Sequence, residues 1–173
     1  MREILWAAAT ALALWAGWLD WKTRKIPNWL TVPGLVVGVL ASSVIFGWSG
    51  AKTALSGAGL ALGLLLPFVL FRGLGAGDWK LMGALGAFLG PKQILLVLLI
   101  SFLLAGILAI LQTTWHRRWK VTTRNLGELL RISFVFGLRP HPVVNLGNPR
   151  LPSLPFGSTA AVATLFCYWA AGV

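Results

Sequence analysis

The stretch GLGAGDWKLMGALGAFLG, residues 73–90, combines a glycine-rich kink, an aspartate and a short apolar run. As a helix, residues 79–90 rise only about 18 Å at 1.5 Å per residue. The hydrocarbon core of a bilayer is about 30 Å thick. Whether this run spans decides the topology, because five other apolar segments surround it: 4–19, 29–48, 54–71, 94–115 and 156–172.

Composition supports a bilayer as the solvent. The chain has 173 residues, 57% of them hydrophobic and 11% charged, with a mean hydropathy of +0.80. Soluble domains carry about 25% charged residues, so this chain lacks the polar surface to cover itself in water. The formal charge of +11 would suggest nucleic acid in a soluble protein. In an apolar chain, basic loops instead fix orientation and meet anionic lipid, so membrane lipids are the expected partners and nucleic acid is not. Residues 4–19 read as a retained span rather than a cleaved secretory signal, since one Arg and one Glu precede them.

Lys and Arg settle the doubtful segment. Lys22, Arg24 and Lys25 follow the first segment, Arg72 and Lys80 flank the 73–90 kink, and seven cations lie in 116–155. These twelve fall on one side when all six segments cross; Arg2, Lys52 and Lys92 fall on the other. The positive-inside rule puts the larger set in the cytoplasm. The predicted fold is therefore an all-α polytopic membrane protein. It has six transmembrane helices and both termini on the non-cytoplasmic side. Residues 1–173 form one membrane-embedded domain, and 116–155 are a long basic, proline-rich cytoplasmic connection. Within it, 126–138 reads either as a helix lying flat on the interface or as a flap. Gly34/Gly38, Gly59/Gly63 and Gly86/Gly90 are close-approach pairs for helix packing.

Only four residues are acidic: Glu3, Asp20, Asp78 and Glu128. In this topology Asp20 ends the first span and Asp78 begins the fourth, both on the cytoplasmic side. Carboxylates at membrane depth are costly and point to function. Two that meet cannot both ionise cheaply, so they share a proton. The ionised one then takes a proton from water while the other polarises a peptide carbonyl, as in aspartic proteases. Each also has a structural reading. Asp78 is suited to cap the helix that follows it, and Asp20 can pair with Lys22, Arg24 or Lys25. Gly75 and Gly77 allow backbone angles closed to other residues and leave room for an extended substrate strand beside Asp78. Cys167 is the sole cysteine, which rules out an intrachain disulfide and a multi-cysteine zinc site. His116 and His141 lack helical partners at i+3 or i+4, so no metal site is expected.

Two stretches together carry a resemblance. DWKTRKIPNWLTVPGL, residues 20–35, resembles the first signature of the type IV prepilin peptidases, an aspartate followed by basic residues and Ile-Pro-Asn. GAGDWKLMGALGAFLG, residues 75–90, is similar to their second, Gly-x-Gly-Asp running into Lys-Leu. LPSLPFGSTAAVA, residues 151–163, resembles the Pro-Phe-Gly entry to the family's last span.

The resemblance implies a cofactor-free intramembrane aspartic endopeptidase of the bacterial or archaeal cytoplasmic membrane. Such an enzyme removes the leader of prepilins or pseudopilins and works beside pilus-assembly components. It implies Asp20 and Asp78 as the catalytic pair. Gly75 and Gly77 would shape the second motif, with Lys80 belonging to it, and Ile26, Pro27 and Asn28 would set the turn after Asp20. Longer family members also carry a tetracysteine zinc region and methylate the new N-terminus. A single cysteine and a first segment starting at residue 4 resemble the short, peptidase-only form associated with Flp/Tad-type pili. Two other classes fit the bare residues. A proton-coupled transporter would use the aspartates as a relay, but such folds show inverted repeats and no repeat is visible here. A non-catalytic pilus-assembly scaffold would keep the motifs without turnover.

Overall fold

The computed structural model describes residues 1–70, 73–115 and 156–170. The 116–155 connection lies outside them, with its candidate helix 126–138, both histidines and Glu128. The described residues form helices: α1 (Arg2–Thr23), α2 (Asn28–Leu70), α3 (Ala76–Trp115) and α4 (Phe156–Ala170). The first three are long and apolar enough to cross a membrane. They are apolar on nearly every face, as helices in lipid are. Val44 is 84% exposed and Leu103 58%, surface that only a hydrocarbon solvent tolerates in such quantity.

At 43 and 40 residues, α2 and α3 would be about 65 and 60 Å long if straight, roughly twice the hydrocarbon thickness. They are not straight. Gly47 (φ 62°, ψ −146°) breaks α2 and Gly90 (φ 76°, ψ 176°) breaks α3. Side-chain-bearing residues are strained in these regions, so one glycine achieves each reversal. The α2 reversal is abrupt: Gly50 packs on the Ser42 carbonyl and on Phe46. Pro91 follows Gly90 at the start of the returning run, where its fixed φ and missing N–H suit a first helical position. Residues 49–53 and 91–93, expected as short connections between separate segments, are helical.

Residues 76–90 form the centre. Leu81, Met82, Ala84, Leu85 and Ala87 are fully buried, wedged between the two halves of α2. On one side Gly34 faces Ala84, Gly38 faces Ala87 and Phe88, and the Ser42 hydroxyl donates to the Ala87 carbonyl at 3.1 Å. On the other, Gly57 meets the Gly86 carbonyl, and Gly83 sits 2.7 Å (from an ideal Cβ) from the Leu62 side chain. The Trp79 indole N–H donates to the Leu62 carbonyl at 2.7 Å. The first half of α2 thus runs parallel to 76–90 and the second antiparallel. Two of the expected close-approach pairs therefore pack as anticipated. Gly59 and Gly63 do not: each faces open space, and Gly57 takes the packing role.

The first and last helices pack antiparallel. Gly17 lies against Ala161, the Ser158 hydroxyl donates to the Gly17 carbonyl at 3.1 Å, and Trp6 meets Tyr168 at 6.3 Å between ring centroids. Phe102, on the returning half of α3, contacts both Phe68 and Phe156. The C-terminal end of α1 and the N-terminal ends of α2, 76–90 and α4 consequently gather at one end of the bundle. Both glycine breaks lie at the other.

Candidate active site

Asp20 and Asp78 both occupy the gathered end. Neither sits just outside its helix as the segment boundaries predicted. α1 continues to Thr23 and closes on Arg24, whose N–H donates to the Asp20 carbonyl at 2.8 Å and whose left-handed φ of 55° turns the chain out of the helix. The Asp20 side chain, 6% exposed, turns away from solvent and toward α4. Its Oδ2 accepts the Gly157 N–H at 2.9 Å, with the Ser158 amide next to it in the chain. The first N–H groups of a helix have no intrahelical partner, so Asp20 caps α4 in trans. Of the three cations after it, Arg24 is the one whose charge acts on Asp20.

Asp78 is not the N-cap expected from its place after the glycine turn. The helix begins at Ala76, which makes Gly75 the capping position and Asp78 the third helical residue. From there its side chain turns back toward Gly75, the direction a third helical residue takes in a capping box. Oδ2 lies so near that a Cβ on Gly75 would meet it at 2.7 Å. Oδ1 is buried with no hydrogen-bond partner, a costly state for a polar atom. The two aspartates are close enough for the charge of one to act on the other.

Ile26 stands between the motifs. An added Cβ on Gly77 would come within 2.9 Å of the Ile26 carbonyl oxygen, and one on Gly157 within 2.8 Å of its Cδ1. Gly77 is therefore occupied by the protein's own backbone rather than left open for a substrate strand. Neither Gly75 nor Gly77 uses positive φ; what each needs is a missing side chain. Pro27 supplies the carbonyl that accepts from Leu30 N–H at 3.2 Å, starting α2. Asn28 Oδ1 accepts from Lys80 Nζ at 2.9 Å, a second tie between the motifs.

Gly157 and Ser158 escaped the sequence reading as partners of Asp20. The Pro-Phe-Gly stretch flagged their neighbourhood, but a contact across 137 positions leaves no local pattern. Among the described residues no cluster of His, Cys, Asp and Glu is arranged to hold a metal. A cavity of about 430 Å³ lies at the opposite end, lined by Arg2, Trp6, Ser42, Thr53, Phe88 and Lys92 among others. It has none of the acidic groups and plays no part in the aspartate chemistry.

The described residues are thus an apolar helical bundle with Asp20 buried and Asp78 half-buried at one end. Residues 7–110 match the type IV leader peptidase family, Peptidase_A24. The chain belongs to that family. It is also 33% identical over 122 residues to a prepilin leader peptidase/N-methyltransferase from Xanthomonas campestris pv. campestris. That alignment covers 66% of this chain and 42% of the relative, so the chain spans well under half the relative's length. No solved structure matches significantly.

Proposed function

We propose that this protein is an aspartic endopeptidase that removes leader peptides from type IV prepilins or pseudopilins at the cytoplasmic face of the membrane. One observation supports the reading: the side chains of Asp20 and Asp78 come from two motifs to one end of the bundle, Asp20 held by the Gly157 N–H and Asp78 folded back against Gly75. A proton relay needs acids at successive depths along a path; these two share one end of the bundle, which favours the peptidase over a transporter.

In the proposed chemistry one aspartate acts as carboxylate and the other as carboxylic acid. The carboxylate takes a proton from water as the water oxygen attacks the scissile carbonyl carbon. The acid donates to the carbonyl oxygen. Collapse of the tetrahedral intermediate breaks the C–N bond, and the leaving amine takes up a proton. Asp78 Oδ1, buried and unpartnered, is the atom free to face that intermediate.

The topology proposed is six spans with both termini outside, α2 and α3 each crossing twice about Gly47 and Gly90. Trp15, Trp18, Trp21 and Trp29 ring the aspartate end and are each more than half exposed. Tryptophans favour the membrane–water interface, which fits a site at the depth where a leader meets a pilin's hydrophobic helix.

Co-expression with a candidate prepilin tests this. Gel shift and N-terminal mass should show leader removal by the wild type and none by Asp20→Ala or Asp78→Ala at equal membrane levels. A mature N-terminus heavier by one methyl group would add the relative's second activity. Processing that survives both substitutions overturns the dyad, and a wild type that leaves the prepilin intact turns the reading toward the scaffold.

A further inference from the structure

We propose that Ile26 is a spacer that sets the separation of the two aspartates, with Gly77 and Gly157 as the positioning residues seated against it. The inference rests on the peptidase reading for its kinetic consequences. Its geometry stands on the contacts themselves.

Ile26 is buried, 9% exposed, at the exit of α1, and the two motif helices close on it through different atoms. Gly77, one residue before Asp78, packs on its backbone: an ideal Cβ there would meet the carbonyl oxygen at 2.9 Å, Cβ at 3.1 Å and the amide nitrogen at 3.4 Å. Gly157, the residue that donates to Asp20, packs on the tip of its side chain. A Cβ there would meet Ile26 Cδ1 at 2.8 Å, and Asp20 Cβ and Oδ2 at 3.0 Å. The path Asp20–Gly157–Ile26–Gly77–Asp78 is thus a continuous chain of contacts with no side chain at either glycine. Thickening either joint pushes one carboxylate away from the other. Displacements of this size matter: a misplacement of about 1 Å in a catalytic constellation can cost on the order of 100-fold.

The two joints make different demands, and this permits a crossed test. Valine in place of Ile26 lacks Cδ1 but keeps the backbone and Cβ. It therefore removes the tightest of the contacts of a Cβ added at Gly157, leaving those to Asp20 at 3.0 Å, and does nothing for one added at Gly77. Gly157→Ala and Gly77→Ala should each lower kcat by about 100-fold with KM little changed. Ile26→Val should itself reduce kcat, by less. The double variant Gly157→Ala/Ile26→Val should recover about tenfold over Gly157→Ala alone, within the range of coupling between touching residues. Gly77→Ala/Ile26→Val should recover nothing.

The assay is prepilin cleavage by the purified full chain in lipid, with thermal unfolding of the same six proteins and an Asp20→Ala control. Equal recovery at both glycines, recovery at neither, or kinetic losses that follow melting temperature alone would overturn the spacer. If the wild type proves inactive, the peptidase reading fails instead. The melting temperatures then still test the contacts: Ile26→Val must raise that of Gly157→Ala and leave that of Gly77→Ala unrelieved.

Discussion

Replacing Asp20 by asparagine and by alanine separates its chemistry from its place in the fold. The carboxylate holds the Gly157 N–H at 2.9 Å and is 94% buried (6% exposed). Asparagine keeps an acceptor at the same reach and ranks with aspartate as a helix cap, so Asp20→Asn should melt within about 1 °C of wild type, under the shift of roughly 2–4 °C that 1 kcal/mol gives in a chain of this size. Alanine removes the acceptor and leaves a buried N–H unpaired. Losing a cap costs typically about 1 kcal/mol, up to about 2. At roughly 2–4 °C per kcal/mol for a chain of this size, Asp20→Ala should melt about 2–8 °C lower. Both should lose turnover alike, by about 10²–10⁴-fold, the usual contribution of a general acid or base. Melting is followed by intrinsic fluorescence in one lipid nanodisc preparation, and cleavage by mass spectrometry. An asparagine variant that cleaves at the wild-type rate refutes the chemical role. An alanine variant with an unshifted melting temperature refutes the cap.

The glycine contacts give further outcomes. Gly57→Ala drives a methyl into the Gly86 carbonyl and should destabilise by about 1–3 kcal/mol, as overpacking does. Gly59→Ala meets nothing and should be neutral or stabilising by up to about 1 kcal/mol; equal melting temperatures for the pair would contradict the packing. Gly47→Ala and Gly90→Ala should each cost about 1–3 kcal/mol in backbone strain. The second should be worse, because its methyl also meets Thr53 Cγ2 at 2.7 Å while the first enters open space. A double-mutant cycle of Asn28→Ala and Lys80→Met, read by melting, should give a coupling below about 1 kcal/mol, since the bond is exposed. A larger value would mean the tie carries more of the fold than its exposure allows.

Hydropathy and cation counts were enough to anticipate an apolar all-α chain, and two short acidic motifs were enough to suggest the aspartates. These are local properties: a run of leucines or an aspartate beside glycines can be read in place. Helix ends were less accessible. Asp20 and Asp78 looked like boundary residues because hydropathy falls at a charge, whereas hydrogen bonding carries α1 on to Thr23 and starts α3 at Ala76. Gly47 and Gly90 were invisible as reversals, since glycine in an apolar run gives no sign of its φ. Gly77 was misjudged for a related reason. Its lack of a side chain is plain in the sequence, but what fills the space, the Ile26 backbone, lies 51 positions away (77 less 26). Gly157 was beyond reach on the same ground.

The bond between Asp20 and Gly157 has a consequence in time. A ribosome makes α1 first, and the amide that holds its carboxylate is not polymerised until 137 residues later. Until then Asp20 lacks the helix end that orients it, whatever the state of Asp78. On the proposed peptidase reading, a chain assembled in this order stays chemically silent through most of its own synthesis.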